Sequence, residues 1–168
     1  IPAGVVCDSL VSAYDFMPTL LDYLGLKPLD MAKRPGVSFV PALLGQGFER
    51  PGGIVVMDEY GPNRMLRDQR YKYIARYPYG PNALYDLKAD PGEQDNLLAH
   101  GGFEALEQEL RGRLEKWFAK YVNPEIDGAR EAVFGSGQIG LAGLWGAGVS
   151  AHSCDDYIKK NPNYALYR

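Results

Sequence analysis

Four short runs decide the fold: Ile54-Val55-Val56-Met57, Arg64-Met65-Leu66-Arg67, Tyr71-Lys72-Tyr73-Ile74-Ala75-Arg76-Tyr77 and Ala83-Leu84-Tyr85-Asp86-Leu87. Each is rich in β-branched, aromatic or large aliphatic residues, and the third alternates such residues with polar ones at the two-residue period of a strand. The joints carry turn chemistry: Gly61-Pro62-Asn63, Asp68-Gln69-Arg70, Gly80-Pro81-Asn82 and Asp90-Pro91-Gly92. Strands joined by such short turns predict an antiparallel meander. In the third strand, alternation sets Arg70, Lys72 and Arg76 on one face and Tyr71, Tyr73 and Tyr77 on the other. An isolated sheet of this size needs cover on its apolar face.

The cover follows in the chain. Phe103, Leu106, Leu110, Leu114, Trp117, Phe118 and Tyr121 recur at three- and four-residue spacing, with acidic and basic residues between them. That pattern predicts an amphipathic helix of about five turns. Gly112 inside it costs about 1 kcal/mol relative to alanine, so packing must outweigh local propensity there. Upstream, Asp15 reads as an N-cap for a short helix with Met17, Leu20, Leu21 and Leu24 on one face, ended by Gly25. Val37 to Gly45 predicts one or two further helical turns. The expected class is α+β: a four-stranded antiparallel sheet packed by a long C-terminal amphipathic helix, with short N-terminal helices and an irregular glycine-rich tail. Three segments follow: 1–50, a connection with short helices; 51–121, sheet plus helix; and 122–168, an extended tail.

Composition agrees with a folded domain. Of 168 residues, 46% are hydrophobic and 23% charged, which excludes disorder and fibrous repeats. Eighteen basic and twenty-one acidic residues give a net charge of −3, without a block of like charge. Nucleic-acid binding through a basic face and docking on an anionic membrane therefore lack electrostatic support. The longest apolar stretch, Ile139 to Val149, is too short and glycine-rich to span a bilayer. The chain opens Ile1-Pro2-Ala3-Gly4, and its first methionine is Met17, so it is expected to be part of something longer.

Several constellations carry residue types suited to chemistry. Gly135-Ser136-Gly137-Gln138-Ile139-Gly140 fits a dinucleotide string, but further glycines follow where a helix is required, so it reads as a close-packed loop. His152-Ser153-Cys154-Asp155-Asp156 gathers ligand types without ligand spacing. His100 reads as a cap or surface residue. Cys7 and Cys154 allow one disulfide or two free thiols. Asp58 and Glu59 stand directly after a strand, either in a solvated turn or where carboxylates reach a cleft. The cations of the sheet form a solvated face or a subsite for an anionic substrate.

Asp15-x-x-Pro18-Thr19-Leu20-Leu21, Gly36-x-Ser38-x-x-Pro41-x-Leu43-Leu44-Gly45, Arg67-x-x-x-Tyr71-Lys72-Tyr73-Ile74 and Leu84-Tyr85-Asp86-Leu87-x-x-Asp90-Pro91-Gly92-Glu93-x-x-Asn96-Leu97, with the long helix ending near Trp117, together resemble the C-terminal part of the sulfatase family. The resemblance runs over about residues 1–121. It implies a four-stranded sheet under a long helix, following an alkaline-phosphatase-like catalytic domain that hydrolyses sulfate esters. It implies a formylglycine nucleophile made in a C/S-x-P/A-x-R motif, beside calcium. Neither Cys7-Asp8-Ser9-Leu10-Val11 nor Cys154-Asp155-Asp156-Tyr157-Ile158 has that motif, so calcium and formylglycine are expected in the parent enzyme and the isolated chain is expected to be inactive. The matched positions are expected to be structural, with Asp15 as a cap, Asp90-Pro91-Gly92 as a turn, and Leu84 and Leu87 in the core.

The resemblance makes the partners the chain's own N-terminal catalytic domain and a sulfated small molecule or glycan, in a periplasmic, secreted or lysosomal compartment. Candidate substrate-binding residues are Asp58, Glu59, Tyr60, Arg64 and His152. Carboxylates or tyrosine would meet sugar hydroxyls, and arginine or histidine an anionic group. The alternatives are a free-standing carbohydrate- or protein-binding module, or the same subdomain of a phosphoesterase or phosphonate hydrolase.

Overall fold

The computed structural model describes residues 1–27, 30–58, 63–77 and 81–127. The dinucleotide-like string at 135–140, the 152–156 cluster and the rest of the tail lie outside them. The chain divides into two units, Ile1–Ile54 and Val55–Arg168.

In the first unit a 3-10 turn, Ala13–Asp15, leads directly into α1, Phe16–Tyr23, and a second short helix, α2, covers Val40–Leu43. Helix α1 stops on Gly25 at φ 65°. There the N–H groups of Gly25 and Leu26 donate to the carbonyls of Asp22 and Leu21, at 3.0 and 2.8 Å. This paired closure needs a left-handed residue, which an L side chain adopts only at a cost of about 1–2 kcal/mol.

Asp15 departs from expectation. It makes no side-chain cap to α1, because the 3-10 turn already places it in helical backbone, at φ −83° and ψ −16°. Its carboxylate turns back instead. It accepts from the N–H of Ser12 at 2.7 Å and of Val37 at 2.9 Å, and it pairs with the Arg50 guanidinium. Thr19 extends the network by donating to the Asp15 carbonyl at 2.7 Å and accepting from the Phe39 N–H at 3.1 Å. Gly36 is closed in by Tyr14: a Cβ there would stand 2.1 Å from the Tyr14 carbonyl oxygen. The buried residues of this unit, among those described, are Asp15, Thr19 and Gly36. Of the residues expected to share one face of this helix, Met17, Leu20 and Leu24 are exposed, and the buried position of α1 is Thr19.

The second unit carries the sheet. Strands β1 (Ile54–Met57), β2 (Asn63–Arg67), β3 (Tyr71–Arg76) and β4 (Ala83–Asp86) lie in the order β1-β2-β3-β4. Antiparallel pairing sets Asn63 opposite Arg76, Met65 opposite Ile74, Arg67 opposite Lys72 and Tyr73 opposite Leu84. Parity then sorts the side chains. Leu66, Tyr73, Ala75 and Leu84 turn to one face, where they meet Leu110, Leu114 and Phe118 of α3, Glu104–Tyr121. Each such residue fully buried contributes about 1.5–3 kcal/mol. Tyr73 is the centre of this layer. Burial, then the neighbouring Glu107 carboxylate, pushes its phenol far above the ordinary tyrosine range, and the hydroxyl donates to Glu107 at 3.3 Å.

The Leu84 to Leu97 motif has a physical reading. Asp86 accepts from the N–H groups of Lys88 and Ala89, fixing the turn after β4. Asn96 accepts from the N–H of Leu84 at 3.0 Å, which supplies a side-chain partner along the outer edge of β4. Leu84 is in the core as expected, whereas Leu87 is half-buried and stands outside it, because it follows the last paired residue of β4.

Candidate substrate-facing site

The candidate site lies at one end of the sheet, where β1 passes to β2. The Asp58 N–H donates to the Asn63 carbonyl at 3.1 Å. In return the Asp58 carboxylate accepts from the Asn63 side-chain amide at 2.6 Å and, weakly, from its backbone N–H at 3.4 Å. Main chain and side chain thus join Asp58, directly after β1, to Asn63, the first residue of β2. Glu59 and Tyr60 lie outside the described residues, as does His152. The amide of Asn63 is oriented by its acidic partner, which leaves its Oδ1 buried and without a hydrogen bond.

Arg64, the next residue, turns to the other face. It is 6% exposed, and its guanidinium sits 3.7 Å from the Phe118 ring centroid, 5.0 Å from that of Tyr77, and in an ion pair with Asp127. Such a cation, packed between rings and a carboxylate, is held in place from three sides. The structure therefore brings Asp58 and Arg64 to the same end of the sheet but onto opposite faces.

On the face of Asp58 opens a cleft of about 430 Å3, lined in part by Met57, Asp58, Asn63, Met65, Lys72, Ile74 and Arg76. Lys72 is paired with Glu93 at 2.6 Å. Arg76 donates to the Pro81 carbonyl at 2.7 Å, and burial lowers the pKa of its guanidinium. Arg70 leaves the row of cations predicted with Lys72 and Arg76: it precedes β3, stacks on Tyr71 and is taken up by Asp86 at 2.7 Å. Asn63 was not singled out in the sequence, although a turn ending in Asx before a strand was a usable signal. Asp127, 63 residues from Arg64, had none.

Among the described residues no three His, Cys, Asp or Glu side chains are grouped to hold a metal ion. Those residues do not fit the calcium that the resemblance implies. Cys7 is exposed, and hydrogen bonding from Ser9 lowers its thiol pKa.

A four-stranded antiparallel sheet under one long helix is the architecture expected of a sulfatase C-terminal region. The model of the family described as "N-sulphoglucosamine sulphohydrolase, C-terminal" matches residues 1–120, and the chain belongs to that family. Delta 4,5-hexuronate-2-O-sulfatase of Bacteroides thetaiotaomicron is 33% identical over 113 residues, which are 63% of this chain and 23% of that protein. A solved structure described as a complex with its substrate D-glucosamine-2-N,6-O-disulfate superposes with a TM-score of 0.55 at 26% identity, covering 67% of this chain and 25% of that one. Phosphonate monoester hydrolase of Agrobacterium radiobacter gives a TM-score of 0.52 at 28% identity, covering 67% and 26%. The chain thus spans about a quarter of the length of these relatives.

Proposed function

We propose that this chain is the C-terminal subdomain of a sulfuric-ester hydrolase acting on a sulfated glycan. In this reading it buttresses a catalytic domain and lines part of the substrate cleft. Nucleophile and calcium are supplied from outside the chain, where a formylglycine would provide the attacking oxygen. The family match over residues 1–120 carries the reading. The clamp between Asp58 and Asn63 supports its site: it fixes the strand ends that flank Glu59 and Tyr60 in the sequence, beside an open cleft. Asp58, Glu59 and Tyr60 meet sugar hydroxyls, His152 an anionic group, and Arg64 fixes the start of β2 from the other face.

The test compares the 168-residue chain with the polypeptide encoded by the whole open reading frame that contains it, each with calcium and an aryl sulfate. Turnover by the longer polypeptide and none by the chain is expected. Calcium-dependent turnover by the chain alone, lost when Cys7 is replaced, overturns the placement of the nucleophile. The likeness to a phosphonate monoester hydrolase favours one second reading, and faster turnover of an aryl phosphonate than of the sulfate selects it.

A further inference from the structure

The face of the sheet turned away from α3 carries an unusual charge arrangement. Arg67 and Lys72 are directly opposed on β2 and β3, a placement in which like charges cost stability. Lys72 is relieved by Glu93. Arg67 has no carboxylate partner among the described residues, and neither does Arg76, whose side chain donates to the neutral Pro81 carbonyl. Between these cations run Met65 and Ile74, paired across the strands and half-buried, with Val56 from β1 at the rim. A merely solvated face would be expected to intersperse signs and to leave its arginines in water, yet Arg76 is partly desolvated.

We infer that this cleft is a subsite for a sulfated saccharide unit, with Arg76 taking the sulfate oxygens and Val56, Met65 and Ile74 packing beneath the C–H face of the ring. With Nη1 on the Pro81 carbonyl, the guanidinium keeps the planar edge of Nε and Nη2 for a tetrahedral oxyanion, a fork that a lysine lacks. The volume of about 430 Å3 falls in the range of small-molecule sites. Asp58 at the far end is engaged by Asn63, and its negative charge turns the anion toward Arg76. This subsite rests on the glycan-sulfatase reading for the identity of the ligand, but it is a binding site in its own right and needs no turnover.

The experiment is a titration of the 168-residue chain with glucose 6-sulfate, glucuronate and glucose, followed by backbone and methyl NMR shifts at Met65, Ile74 and Arg76. Glucose 6-sulfate is expected to bind at least tenfold tighter than glucose and to move those signals. Arg76→Gln is expected to abolish the difference, whereas Arg76→Lys restores part of it. Lys88→Gln, on the exposed turn after β4, is expected to leave it intact. Should Arg76→Gln fail to fold, Ile74→Glu supplies a second variant, placing a repelling charge in the cleft, and it too is expected to lose sulfate preference. Equal binding of glucose and glucose 6-sulfate, glucuronate binding as tightly as the sulfate, or unchanged preference in Arg76→Gln or Ile74→Glu overturns the inference. No binding by the chain, with aryl-sulfate turnover intact in the longer polypeptide, overturns the subsite alone. Binding without that turnover overturns the sulfatase reading alone.

Discussion

Replacing Asp15 by asparagine strikes the polar network on which the first unit is built. The carboxylate is 0% exposed and its Arg50 partner 4%. The amide keeps a carbonyl oxygen for one of the two N–H donors, Ser12 or Val37, so what is lost is chiefly the charge facing Arg50. Leaving one member of a buried ion pair uncompensated costs about 3–5 kcal/mol. Little offsets that loss, because the buried residues described in this unit are Asp15, Thr19 and Gly36, none of them a large apolar side chain.

Native-state hydrogen exchange reads the effect where it should appear. The amides of Leu24, bonded to the Leu20 carbonyl, and of Phe39, bonded to Thr19, are expected to lose about two to three decades of protection, at about 1.4 kcal/mol per decade. Arg50 retains bonds to the carbonyls of Gly53 at 2.9 Å and Pro35 at 3.3 Å, which sets the loss at the lower end. Because removing both charges leaves neither one buried and uncompensated, Asp15→Asn combined with Arg50→Met is expected to be less damaging than the sum of the singles by more than about 1 kcal/mol. Unchanged protection at Leu24 and Phe39 in Asp15→Asn, or strict additivity in the double variant, would refute the reasoning.

Three further outcomes are expected. Leu114→Ala removes a side chain that is 0% exposed between helix and sheet and should cost about 2–5 kcal/mol, read as a lower urea midpoint; a loss below about 0.5 kcal/mol contradicts the core assignment. Gly36→Ala forces a Cβ to 2.1 Å from the Tyr14 carbonyl oxygen, so hydrogen exchange in α1 should accelerate, and exchange like that of the parent chain counts against the close approach. Asp68 lies below the ordinary carboxylate pKa: burial acts to raise it, but hydrogen bonds from the N–H groups of Tyr71 and Arg70 and from the Arg113 guanidinium outweigh that effect. Its stabilising contribution is therefore full above the unfolded value of about 4 and is lost as pH falls through the folded value. Asp68→Asn should flatten the acid limb of stability against pH, and an unaltered limb argues against the Arg113 contact at 2.9 Å.

The parts of this fold that could be read in the chain are those set by near neighbours. Period two in residues 71–77 and periods three and four in residues 103–121 are consequences of backbone geometry, and β3 and α3 follow them closely. What escaped is set by distance along the chain. Asp15 looks like a helix cap from its immediate sequence, yet its partners Val37 and Arg50 are 22 and 35 residues away. Periodicity also says that the stripe of Met17, Leu20 and Leu24 is apolar, without saying that the interior beside it would be filled by Thr19.

The site divides in the same way. Asp58 was legible because a carboxylate directly after a strand has a short menu of roles. Arg64 was legible as a residue of interest but not in its orientation, although parity with Leu66 carried that information: alternate residues of a strand share a face. If Leu66 is core, Arg64 must also point inward, and an inward charge requires a partner. Phe118 and Asp127 meet that requirement. The end of the sheet that receives the loop from β1 is thus secured twice, by Asp58 with Asn63 on one face and by Arg64 with Asp127 on the other. Polar groups paired in this way fix the strand ends from both faces, so the geometry there does not depend on apolar packing alone.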